Sequence, residues 1–287
     1  MGSQSAVIRN LILNLIGLLL LTAILSACQN TDSLTTLYPT RARTPVVVTD
    51  YPIPKPGSSF SIQFSGEINP EDLTGDVIDL DLFETEPEMV QALQDQDKLV
   101  MCYLSAGSWE DWRPDADLYP PEVIGKNYEG WPGEKWLDIR QIETLAPILE
   151  NRLDLCLEKG FDGVEADNMD NYQNNTGFDI QPEDQLTFNR WIALQAHNRG
   201  LSIGLKNDPD QAAELVEDFD WALVEDCFAE GWCDEYTVFI NQGKAVFVLE
   251  YSDRFPDKET TCQKAQSLGL TVVFKNRSLN EFADNCP

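Results

Sequence analysis

The sequence predicts an α/β protein built as one (β/α)8 TIM barrel, with a long Trp-rich loop after the third strand. Two observations carry this. Eight short apolar runs alternate with segments of helical spacing between about Phe60 and the C-terminus, about the length of one such barrel. The runs start apolar and end polar, in phase, which implies a polar mouth at one end of the barrel.

The expected strands are Phe60 to Phe64, Val77 to Asp81, Leu99 to Ser105, Phe161 to Asp167, Ser202 to Asn207, Trp221 to Glu225, Ala245 to Tyr251 and Thr271 to Lys275. Helical spacing marks Pro87 to Gln96, Gln141 to Lys159, Pro182 to Asn198, Asp210 to Asp218, Glu230 to Gln242 and Lys258 to Leu268. The fourth strand organises the rest, since it runs from Gly160 and Phe161 into the acids and amides ending at Asn171. Strand alternation puts Asp162, Val164 and Ala166 on one face and Gly163, Glu165 and Asp167 on the other.

Three segments are expected. Residues 1–27 read as a signal peptide: Arg9 precedes an apolar run from Leu11 to Leu25, and Leu25-Ser-Ala-Cys28 resembles a bacterial lipobox with Cys28 as the lipidated residue. Asn14 interrupts the run, which is short for a membrane span. Gln29 stands where an inner-membrane retention signal has Asp, so the chain is expected in the cell envelope, at the outer membrane where there are two. Residues 28–59, with Pro39, Pro45, Pro52, Pro54 and Pro56, read as a semi-extended tether, and residues 60–287 as the barrel.

Cys28 aside, six of the seven cysteines remain, an even number suited to an oxidising compartment. Six cysteines allow fifteen pairings. Cys227–Cys233 is expected as a local clasp and Cys262–Cys286 as a C-terminal tie; Cys102–Cys156 follows by exclusion. There is no Cys-x-x-Cys and one histidine, His197, placed late in a helix as a cap or dipole partner, so no metal is expected. Without a P-loop, dinucleotide fingerprint or Gly-x-Ser-x-Gly, no cofactor or serine triad is expected either.

The chain carries 49 acids against 20 bases, a formal charge of −29. That argues against nucleic acid as a partner. It fits either a solvated surface or attraction of a cationic ligand.

Carboxylate chemistry remains. Asp167 and Glu225 end the fourth and sixth strands, and glycosidic bonds are cleaved by two such carboxyls. Asp81, Tyr103, Glu165, Asn168, Asp170, Lys206, Asn207, Glu250 and Tyr251 are expected around them, with Trp109 from the loop Ala106 to Lys135. That loop, with the residue just after it, holds Trp109, Trp112, Trp131 and Trp136, four of seven tryptophans, which serve either as sugar platforms or as a satellite core.

Cys102 to Asp115, Trp136 to Arg140, Gly160 to Asp170, Gly200 to Asn207 and Glu225 to Phe228 together resemble glycoside hydrolase family 114, in the family's order, from about Phe60 onward. The resemblance implies a TIM barrel, endo-α-1,4-polygalactosaminidase activity on galactosamine-rich, cationic polysaccharide, and catalytic carboxyls at Asp167 and Glu225. Ala166 replaces the family's usual proline, and Val224 and Asp226 stand where Asn and Gln are common. The competing expectations are a polysaccharide-binding lipoprotein on an inactive barrel and a hydrolase of another glycan.

Overall fold

The computed structural model describes residues 50–254 and 257–286; the signal segment, Cys28 and most of the tether lie outside them. All eight expected strands are present, as β1 (Phe60–Ile62), β2 (Val77–Asp81), β3 (Leu99–Ser105), β7 (Gly163–Asp167), β8 (Ser202–Lys206), β9 (Trp221–Glu225), β10 (Val246–Tyr251) and β11 (Thr271–Lys275). They pair in parallel in that order, and an antiparallel β12 (Ala283–Asn285) adds to β11. The seam between β1 and β11 is bridged at both ends by the chain flanking these strands. Leu279 O accepts from Phe64 N at 2.9 Å, and Ser58 O accepts from Thr271 Oγ1 at 3.1 Å.

The helices form the outer layer: α1 (Pro87–Gln94), α2 (Ile142–Lys159), α3 (Pro182–His197), α4 (Ala212–Leu215), α5 (Cys227–Glu230), α6 (Thr237–Asn241) and α7 (Lys258–Leu268). The long expected helices after β8 and β9 are short pieces. Asp208 and Gly231 take left-handed backbone angles there, and a 3-10 turn precedes α6. The Cys227–Cys233 disulfide spans this break, Cys262–Cys286 ties the C-terminal segment to α7, and Cys102–Cys156 joins β3 to α2.

Two apolar layers follow from strand alternation. Val164, Ala166, Ile203, Leu205, Ala222 and Val224 face the helices. Phe60, Val77, Met101, Trp221, Phe247 and Val273 fill the barrel at the strand starts, with Phe60 stacked on Phe247 at 4.5 Å. This plug leaves no room at Gly204, where a Cβ would lie 2.7 Å from the Trp221 ring. Gly204→Ala is expected to cost about 1–3 kcal/mol through overpacking, read as a lower melting temperature.

The loop after β3 is not irregular. It forms a three-stranded antiparallel sheet, β4 (Ser108–Glu110), β6 (Glu134–Leu137) and β5 (Ile124–Asn127) in that spatial order. Buried ion pairs fasten it to the barrel, Arg113 to Asp81 of β2 and Arg152 of α2 to Asp115, at 2.8 Å each, and Arg113 also pairs with Glu110 within the loop at 2.8 Å. Gly107 enters the sheet so close to Asn168 that a Cβ would sit 1.7 Å from its carbonyl oxygen.

The last part of the stretch read as tether lies against the barrel. Tyr51 stacks on His197 at 5.3 Å and shares Asp220 with it, and Pro54 is buried.

Candidate active site

The strand ends opposite the plug are polar on their inner faces, and they meet around one ammonium group. Lys206 Nζ lies 2.7 Å from Glu165 Oε1, 3.0 Å from Asp167 Oδ1 and 3.5 Å from Glu225 Oε2. The last two distances bound the separation of those Asp167 and Glu225 oxygens at 3.0 plus 3.5, or 6.5 Å. Both acids keep some solvent contact, with side chains 19% and 27% exposed, whereas Lys206 and Glu165 are 5% and 1% exposed.

Asp167 accepts from Asn168 N at 2.8 Å and from Tyr103 Oη at 3.2 Å as well as from Lys206. Asn168 holds a left-handed angle (φ 62°), and its amide donates to Ser105, Ser108 and Glu134. Glu225 accepts a short hydrogen bond from Tyr251 Oη, and its backbone N–H is held by Asn207 Oδ1 at 2.9 Å. Burial, then Asp167 for Tyr103 and Glu225 for Tyr251, pushes both phenols far above their usual range, so they stay donors. Burial pulls the Lys206 ammonium down, but its three carboxylates push harder and hold it charged.

These groups line a cavity of about 820 Å³. Of the expected residues, Asp81, Tyr103, Glu165, Asp167, Asn168, Asp170, Lys206, Asn207, Glu225 and Tyr251 line it. Glu250 and Trp109 do not. In β10 alternation sends Leu249 and Tyr251 inward and Glu250 toward the helices, where its oxygens accept from Phe228 N at 2.7 Å and Ala229 N at 3.3 Å. In β4 Ser108 joins the network under Asn168 and Glu110 lines the cavity, while Trp109 turns the other way and its indole donates to Ala116 O at 3.0 Å. Asp81 lines the cavity but is already committed to Arg113.

The aromatic walls are Trp112 and Trp131, 49% and 48% exposed, with Tyr128. Glu134 is a further buried acid at the cavity. Nothing in its sequence context, Gly133-Glu-Lys-Trp136, marks it. Strand alternation could have excluded Glu250 beside Tyr251. Cys227, Cys233 and Glu250 cluster within 4.8 Å, but the two sulfurs are bonded to each other and offer no thiolate to a metal.

Burial before all else, reinforced by neighbouring acids, raises Asp170 to about 6, Glu134 to about 7, Glu250 to about 7 and Asp208 to about 8. Each binds its proton more tightly folded than unfolded. The stability these four acids contribute is therefore full below the ordinary carboxylate range and falls as pH rises to about 8. Melting temperatures measured from pH 5 to pH 8 are expected to decline, and Glu134→Gln should flatten part of that slope.

A (β/α)8 barrel whose mouth presents two partly exposed carboxyls to one aromatic-walled cavity has the architecture of a glycosidase. The chain belongs to glycoside-hydrolase family GH114, whose model matches residues 40–287, and it is a glycoside hydrolase. It is similar to Aspergillus fumigatus Ega3, solved in complex with galactosamine, at 35% identity and a TM-score of 0.77, over 81% of this chain and 96% of that one. It shares its fold with the glycoside hydrolase domain of Pseudomonas aeruginosa PelA, at 17% identity and a TM-score of 0.62, over 80% and 99%. An uncharacterized Deinococcus radiodurans protein is 26% identical over 221 residues, 67% of this chain and 68% of that protein.

Proposed function

We propose that the protein is an exported, lipid-anchored endo-glycosidase that hydrolyses α-1,4-linked galactosamine-rich polysaccharide with retention of configuration. The observation that carries the mechanism is the shared ammonium of Lys206, which keeps Asp167 and Glu225 facing one cavity within a sugar's width. Retaining pairs stand about 5–5.5 Å apart and inverting pairs roughly 6.5–9.5 Å; the two oxygens nearest Lys206 lie no more than 6.5 Å apart, which is compatible with retention.

Asp167, with three donors converging on it, is the nucleophile. Glu225, the more exposed of the two, protonates the leaving oxygen and then activates water. The substrate class follows from the likeness to Ega3 and from the cavity's own charge. Glu84, Glu86 and Asp170 line it, while Lys206 and Arg113 are held in ion pairs. Ammonium groups on the sugar suit that lining. Of the family departures, Val224 faces the helices, whereas Asp226 pairs at 2.5 Å with Arg277, which lines the cavity; substrate preference is therefore open to change at position 226 through Arg277.

A reducing-end assay across a polysaccharide panel tests the reading. α-1,4-Polygalactosamine should yield oligomers with the α-anomer formed first, followed by NMR. Binding without new reducing ends would instead mark a surface polysaccharide-binding protein, and cleavage of another polymer alone would reassign the sugar. Labelled fatty acid should enter the chain and be lost in Cys28→Ser.

A further inference from the structure

Beneath the two reacting carboxyls lies a third and a fourth. Glu165 Oε1 faces Lys206, but no N–H or hydroxyl among the described residues reaches Glu165 Oε2 or either oxygen of Asp79. Both residues are fully buried, and the two carboxyls are close enough to perturb each other by charge and to hydrogen-bond once one of them carries a proton. Two carboxyls can do that only by sharing a proton. Burial raises both acids, but Lys206 at 2.7 Å opposes the rise at Glu165, whereas Asp79 has no cation within ion-pairing distance among the described residues. The proton therefore belongs to Asp79, and burial followed by the Glu165 charge raises that acid far above the ordinary range.

We propose that Asp79 is a positioning residue that keeps its proton throughout the reaction, donates it in a hydrogen bond to Glu165 Oε2, and so fixes Glu165 as the anchor of Lys206. This rests on the two-carboxylate mechanism above. In the first half of that reaction an Asp167 oxygen bonds to the anomeric carbon, the glycosidic C–O bond breaks, and the Glu225 proton goes to the leaving oxygen. Negative charge leaves Asp167 and appears on Glu225. In the second half Glu225 takes a proton from water, the water oxygen bonds to the anomeric carbon, and the bond to Asp167 breaks. The charge returns.

Lys206, 3.0 Å from one oxygen and 3.5 Å from the other, balances the charge in both states without moving far. It can do so only if its third partner stays put and stays negative. The ionisable groups facing this cluster are Tyr103 on β3, Glu165 and Asp167 on β7, Glu225 on β9, Tyr251 on β10, Asp170 beyond β7, and Glu110, Tyr128 and Glu134 from the small sheet and its loops. None of them can replace the Asp79 donor, since Tyr103 and Tyr251 are spent on Asp167 and Glu225 and no other hydroxyl among the described residues reaches Glu165 Oε2.

Asp79→Ala and Asp79→Asn separate the possibilities. Asp79→Ala strands Glu165 Oε2, so Glu165 takes up a proton and Lys206 loses its anchor. On α-1,4-polygalactosamine kcat should fall about tenfold and both limbs of the pH–rate profile should move to lower pH. Asp79→Asn supplies an N–H in place of the O–H and should restore kcat to within about threefold, with the profile near its original position. An infrared difference spectrum at neutral pH, wild type minus Asp79→Asn, should show one protonated-carboxyl C=O band. That measurement needs no substrate, so it decides the protonation of Asp79 even if the polymer is not cleaved or Asp79→Ala fails to fold. The absence of the band, or an Asp79→Asn variant as impaired as Asp79→Ala, overturns the proposal.

Discussion

Asp167→Asn and Glu225→Gln are each expected to abolish turnover while leaving the melting temperature near that of the wild type. Loss of the nucleophile should cost on the order of 10⁴-fold or more in kcat, and loss of the acid/base about 10²–10⁴-fold. Folding is spared for a physical reason. Both side chains reach solvent, and either amide leaves Lys206 its ion pair with Glu165. Azide distinguishes the roles. With Glu225→Ala it should attack the glycosyl-enzyme and give a product of retained configuration; with Asp167→Ala it should attack substrate directly and give the inverted one. Wild-type activity in either amide variant refutes the assignment.

The largest expected loss of stability lies away from the reacting groups, at Arg152. Its side chain is 1% exposed and grips Asp115 through two hydrogen bonds of 2.8 Å, and a third of 2.8 Å goes to Ser105 O. The guanidinium also lies 5.3 Å from the Phe83 ring and 5.6 Å from the Tyr119 ring. Arg152→Ala leaves Asp115 buried and unpaired, which costs about 3–5 kcal/mol. In a barrel of this size that is roughly 6–20 °C in melting temperature. Arg152→Lys keeps the charge but not the fork and should fall between. Because Ser105 and Ser108 support the amide of Asn168, activity well below the melting point should drop as well.

The barrel was legible because its strands are apolar runs buried on both faces, each bounded by turn residues. The fourth strand shows this best, as the shared face of Gly163, Glu165 and Asp167 followed from alternation alone. The same rule in β10 puts Glu250 on the face opposite Leu249 and Tyr251, away from the cavity. Trp109 was misplaced for a different reason. The loop that carries it is a small sheet, and which face a tryptophan takes there depends on strand pairing across residues 108–136, which no local pattern encodes. Glu134 was unreadable as part of the site, and Asp79 was legible only as one of the polar strand ends. Their roles come from what lies opposite them in space, Asn168 and Glu165, not from their neighbours in the chain.

The commitment of Lys206 to three carboxylates has a consequence for selectivity. Arg113 is likewise spoken for, and Arg277 is held by Asp226 and Asp253. A polymer bearing an acid on each ring, such as a polyuronate, finds no unengaged positive group among the described residues of the cavity and would bring its own anions against those already there. A polyuronate is therefore expected to be turned away by its sign, since the cavity's few cations are spent internally.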